Sequence, residues 1–72
     1  MTQKELFKSI RALGMVVTCT DGEYRVNYKG GSESSAYYTD DRMDALGTAR
    51  EMDQERLRLL CAYADRLAKE ND

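Results

Sequence analysis

Asp21-Gly22 lies between two β-prone runs, Met15-Val16-Val17-Thr18-Cys19-Thr20 and Glu23-Tyr24-Arg25-Val26-Asn27-Tyr28-Lys29. No other feature limits the fold of this chain as much. An Asp-Gly pair supplies the positive φ that a type I′ turn requires at both central positions, and that turn follows the natural twist of a hairpin. A two-residue loop also fixes the register: Thr20 faces Glu23, Cys19 faces Tyr24, Val17 faces Val26 and Met15 faces Tyr28. One face of the hairpin then carries Met15, Val17, Cys19, Tyr24, Val26 and Tyr28. The other carries Thr18, Thr20, Glu23, Arg25, Asn27 and Lys29, with Val16 as its one apolar member. Turn chemistry and alternation agree, as they must where one face is buried.

The segment before the hairpin reads as an amphipathic helix over about residues 3–13. Thr2 and Glu5 have the spacing of a capping box. Leu6, Phe7, Ile10 and Leu13 share one helical face, and Lys4, Lys8 and Arg11 take the other. Gly14 stands where a left-handed residue ends a helix without steric cost. After the hairpin, Gly30-Gly31-Ser32-Glu33-Ser34-Ser35 reads as a flexible polar loop leading into a third strand, Ala36-Tyr37-Tyr38-Thr39. Thr39 or Asp40 is then expected to cap a helix whose first turn is acidic, with Asp40, Asp41 and Asp44 complementing the helix dipole.

From Asp41 to Glu70 there is no proline, and Gly47 is the one glycine. Met43, Leu46, Ala49, Leu57, Leu60, Cys61, Ala64, Leu67 and Ala68 keep helical phase through the whole stretch, and Arg50 and Asp53 interrupt it. An unbroken helix there is about 45 Å long, whereas a compact chain of this length is only about 30 Å across. Either the helix breaks near Met52-Asp53, with Asp53 capping a second one, or its far half projects. The expected fold class is therefore α+β in the order α-β-β-β-α. A three-stranded antiparallel sheet is packed by an N-terminal helix and a long or kinked C-terminal helix, within a single domain spanning 1–72 and ending in a helical segment over 55–72.

The chain's chemistry is thin. Histidine is absent, which removes the commonest general base and the commonest metal ligand. Cys19 and Cys61 cannot complete a four-ligand zinc set alone, and both fall at apolar positions that suit small buried hydrophobes. Asp40, Asp41 and Asp44 lack the ligand order of a calcium loop. The Gly30-Gly31 turn joins two strands and does not open onto a helix, as a phosphate cradle must. No catalytic, cofactor or metal residue is expected. There is no apolar run long enough to span a membrane and no signal-peptide core at Met1–Glu5, so the expected setting is the cytoplasm.

Eleven Lys/Arg against 13 Asp/Glu leaves a net charge of −2, too balanced for an electrostatic footprint on nucleic acid. The distribution is uneven: residues 1–30 carry +2 and residues 31–56 carry −4, with the rest balanced. A nucleic-acid surface, if the chain has one, uses Lys4, Lys8, Arg11, Arg25 and Lys29. The α-β-β-β-α order is similar to that of the double-stranded RNA-binding domain, which grips phosphates with lysines at the start of its last helix. Here that position reads Thr39-Asp40-Asp41-Arg42-Met43-Asp44, and carboxylates repel phosphate, so the function does not carry over.

A second resemblance covers residues 15–52. Asp21-Gly22-Glu23-Tyr24-Arg25-Val26-Asn27, then Ala36-Tyr37-Tyr38-Thr39-Asp40-Asp41, then Asp44-Ala45-Leu46-Gly47-Thr48-Ala49, looks like small uncharacterised accessory proteins of bacteriophages and prophages. The resemblance implies a protein that acts in the bacterial host cell by binding a host protein, and it supplies no catalytic residue.

The last helix carries more apolar surface than one core can absorb. Leu57, Leu60 and Leu67 belong to the main stripe, and Leu59 and Tyr63 form a second strip beside it. Surplus apolar width on a small domain marks a protein interface. The expectation is a non-enzymatic interaction module, homodimeric or bound to a host protein through Leu57, Leu59, Leu60, Tyr63 and Leu67.

Overall fold

A computed structural model describes residues 1–70, apart from the side chain of Glu70. Asn71 and Asp72, the end of the expected 55–72 segment, lie outside the described residues. The elements are α1 (Gln3–Ala12), β1 (Met15–Thr20), β2 (Glu23–Tyr28), β3 (Tyr37–Thr39) and α2 (Arg42–Glu70), with a 3-10 turn over Glu33–Ser35. The class is α+β in the expected order. The strands form one antiparallel sheet in the order β1-β2-β3.

The hairpin register is the one that the Asp-Gly turn dictates. Met15 pairs with Tyr28, Val17 with Val26, Cys19 with Tyr24 and Thr20 with Glu23. Asp21 at φ 52° and Gly22 at φ 80° are both left-handed, as a type I′ turn demands. At the start of α1, Thr2 Oγ1 accepts a hydrogen bond from the Glu5 amide at 3.1 Å, and the Thr2 hydroxyl donates to Glu5 Oε1. The helix ends on Leu13 and Gly14, the latter at φ 77°.

Both helices pack on one face of the sheet, α1 over β1 and α2 over β2 and β3. Leu6 and Ile10 from α1, Met15, Val17, Tyr24 and Val26 from the sheet, and Ala45, Leu46 and Ala49 from α2 form the core. Phe7 meets Tyr24 edge to face at 6.4 Å between ring centres, a geometry that suits the quadrupoles of the two rings. Small residues on α2 let that helix sit close to the sheet.

The other sheet face holds Arg25, Asn27 and Tyr38. Asn27 is buried even though it points away from the helices. Its Nδ2 donates to the Ser32 carbonyl at 2.9 Å, and its Oδ1 accepts from the Tyr28 amide and the Ser35 hydroxyl, each at 2.7 Å. The Gly30–Ser35 segment is thus a packed cover on the sheet and not the flexible loop that its composition suggests. A Cβ built on Gly31 would lie 2.6 Å from Asn27 Oδ1, so glycine is what lets the chain come this close.

Two boundaries differ from expectation. The third strand starts at Tyr37, because Ala36 closes the 3-10 turn by donating its amide to the Glu33 carbonyl. Asp41 caps α2 instead of Thr39 or Asp40: its Oδ1 accepts from the Met43 and Asp44 amides at 2.8 and 3.2 Å. Thr39 serves one step earlier, accepting the Asp41 amide. Of the two courses open to the last helix, α2 takes the unbroken one: Asp53 stays within it and pairs with Arg56.

Candidate interaction surface

Four polar ties hold the first half of α2 in place. Tyr37 donates to Asp44 Oδ2 at 2.6 Å, and Arg42 Nε donates to the Tyr24 hydroxyl at 2.8 Å. The Tyr28 hydroxyl donates to the Met52 carbonyl at 3.3 Å. One turn further on, Arg56 reaches the Leu13 carbonyl at 3.1 Å and also pairs with Asp53. The Tyr37 hydroxyl holds the Asp44 carboxyl below the usual carboxylate range, and Asp44 in turn raises the Tyr37 phenol above its usual value.

Arg56 is the last residue of α2 that the domain covers even partly; every described side chain from Leu57 to Lys69 is exposed. The helix simply outruns its domain. The molecule measures 52 Å along its longest axis against 23 and 16 Å across it. Its Cα radius of gyration is 14.7 Å, compared with about 11 Å for a compact chain of this length.

The projecting segment is apolar on the side that faces the core lower down. Ala49 and Leu67 are 18 residues apart, which is five full helical turns, so they point the same way. Leu60 and Tyr63 fall within about 40° of that direction, and Leu59 flanks them. Leu57, Leu59, Leu60 and Tyr63 are 50, 63, 56 and 57% exposed. Leu60, Tyr63 and Leu67 therefore lie on one side of the projecting helix, with Leu57 on one flank and Leu59 on the other, each about 80° away. Where the helix leaves the domain, Tyr28, Lys29, Arg56, Leu59 and Leu60 line a notch of about 420 Å³.

Two members of the expected stripe behave otherwise. Met43 is 62% exposed, because the face toward the sheet at that end is Ala45-Leu46-Ala49. Cys61 is exposed and not buried, since it lies beyond the end of the domain, while Cys19 is half-buried on the core face as expected.

Four of the five basic residues, Lys4, Lys8, Arg11 and Lys29, lie along α1 and the neighbouring edge of β1, and Arg25 stands apart from them. Lys4, Lys8 and Arg11 lie along the outer side of α1 around Phe7, with Arg11 stacked 5.6 Å from the centre of that ring. Arg25 is on the opposite sheet face, where it donates to Glu33 Oε2 at 3.0 Å. Tyr38, the outward-facing sheet aromatic, donates to the other oxygen of Glu33. Glu33 is held below the usual carboxylate range by Tyr38 first and by Arg25 second, and Arg25 is raised above its usual value by Glu33. Lys29 stands apart from Arg25, at the notch. At the start of α2, Asp41 and Asp44 serve as a cap and as the partner of Tyr37.

Arg56 and Asn27 are the structural residues that sequence reasoning missed. An asparagine inside a strand, followed within four residues by Gly-Gly, was the available signal for the second. Among the described residues, no helix is long and apolar enough to cross a membrane, and no group of three acidic or cysteine side chains is placed to hold a metal ion. No protein-family model, curated protein or solved structure matches this chain.

Proposed function

We propose that this protein is a non-enzymatic interaction module that presents residues 57–69 of α2 to a protein partner. The observation that carries the reading is the exposed continuation of the core-facing stripe past the end of the domain. Five large apolar side chains, Leu57, Leu59, Leu60, Tyr63 and Leu67, are 40 to 63% exposed on one helix. Single exposed apolar residues are ordinary on any protein, but a contiguous set on one projecting helix marks a binding surface. The resemblance of residues 15–52 to bacteriophage and prophage accessory proteins supports a partner in the bacterial cytoplasm, either a host protein or a second copy. The separation of Arg25 from Lys4, Lys8 and Arg11, and its tie to Glu33, count against a nucleic-acid surface that uses all of them.

Leu59→Asp combined with Tyr63→Asp tests the reading, because neither side chain contributes to the core. The variant is expected to keep its circular dichroism and to lose association, whether with itself in sedimentation or with a host protein captured by the wild type. A folded variant that associates just as the wild type does refutes it.

A further inference from the structure

The structure carries one step beyond this reading and rests on it: we infer that the partner of the α2 tail is a second copy of this chain, bound antiparallel, with Leu67 of each tail against the other copy's notch at Tyr28, Lys29, Arg56, Leu59 and Leu60.

Direction follows from where the domain sits. The sheet and α1 lie on the same side of α2 as Ala45, Leu46 and Ala49, and the apolar side of the tail points that way too. Packed helices stand only about 8–10 Å apart, and a sheet layer stacks at about 10 Å. A parallel partner, seated on the tail's apolar side, would bring its own sheet and α1 to the level already filled by the first copy's. The two bodies would collide. An antiparallel partner places its body past Lys69 of the first tail, and the two bodies then stand at opposite ends of a shared helix pair.

Register follows from the same constraint. A partner tail can advance only until it meets the domain at the Arg56 level. Setting the partner's Leu67 opposite Leu60 lets the tails overlap along their whole apolar length. The two-fold axis then passes between Tyr63 and Ala64, and the partner's Leu67 lies at the notch walled by Tyr28 and Lys29. Arg58, Asp65, Arg66 and Lys69 remain on the solvent side of the pair.

Area agrees with this seating. Two copies of the strip of Leu59, Leu60, Tyr63 and Leu67, each side chain 40 to 63% exposed, bury against one another about twice the apolar area that one copy offers, toward the ~1,000 Å² that a specific interface needs. An isologous two-fold contact of this kind is the commonest way for a small chain to close on itself.

Sedimentation and mixed disulfide trapping test the arrangement. The wild type is expected to sediment as a dimer at about 100 µM, and a monomer there overturns the inference. Leu60→Cys and Leu67→Cys are then made separately, each with Cys19→Ala and Cys61→Ala. Under mild oxidation, each variant alone should stay largely unlinked, and the mixture should form a covalent 60–67 dimer. Within one chain these positions are two helical turns apart, too far for a disulfide. Self-linking of each variant alone shows parallel tails and overturns the inference, as does a mixture that stays unlinked. If Leu59→Asp with Tyr63→Asp remains folded and dimeric, the tail is not an association surface and the underlying reading fails as well. If that variant is monomeric and only the 60–67 link is absent, the arrangement alone fails.

Discussion

Ala49 and Leu67 project from the same side of α2, five turns apart, yet Ala49 has no exposed surface and Leu67 keeps 40% of its own. One helix thus serves two purposes along a single face. Its first half closes the core of the domain, and its second half carries the same apolar pattern into solvent.

The two halves should respond differently to truncation. Leu46→Ala empties a core position and should cost about 2–5 kcal/mol at any protein concentration. Leu60→Ala leaves the core untouched, so its cost should appear only where the protein is associated and should vanish on dilution. Thermal unfolding of both variants at about 1 µM and about 100 µM separates them. A concentration-independent loss of several kcal/mol for Leu60→Ala would show that the tail is core.

The turn is the next place to press. Replacing Asp21 and Gly22 with valine forces two β-branched residues into positive φ, at about 1–2 kcal/mol each. For a domain of this size, the unfolding midpoint should fall by roughly 10 °C or more. A midpoint equal to that of the wild type would mean that the hairpin does not depend on this turn.

Asn27 should matter more than a polar strand residue normally does. Its amide holds the Ser32 carbonyl, the Ser35 hydroxyl and the Tyr28 amide. Asn27→Ala leaves those groups without their partner and should cost about 1–3 kcal/mol. The amides of Ser35 and Ala36, which close the 3-10 turn, should exchange faster in the variant. Gly31→Ala should disturb the same contact from the other side.

The Tyr37–Asp44 bond gives stability a defined pH dependence. Asp44 is depressed in the folded state by the Tyr37 hydroxyl, so its contribution is present above about pH 4 and is lost as the pH falls through its lowered value. Tyr37 is raised by Asp44, so its contribution is present below about pH 10 and is lost as the pH rises through its raised value. The stability gap between wild type and Tyr37→Phe should therefore be flat between those limits and shrink outside both. Urea titrations across the pH range measure it, and a gap that widens in acid would contradict the assignment.

What the sequence determined by itself is local. Asp21-Gly22 sets the hairpin register because only residues that tolerate positive φ fit its turn, and side-chain alternation then assigns both faces. Thr2 with Glu5, and Gly14 after Leu13, bound the first helix through hydrogen bonds and backbone conformation that act over a few residues. The absence of proline between Asp41 and Glu70 allowed one long helix, and the phase of its leucines showed more apolar width than one core can cover.

Tertiary structure decided what depends on distance between separate segments. Asn27 is buried only because the Gly30–Ser35 segment folds back onto it, a contact with no local signature apart from two glycines. Asp41, and not Thr39 or Asp40, caps α2 because the length of β3 sets where the chain turns. Above all, Leu46, Leu60 and Leu67 look alike in the periodicity of the sequence. Whether each is buried depends on where the sheet ends beneath the helix. The sheet ends at Tyr28, the last cover is given at Arg56, and every leucine beyond it is exposed.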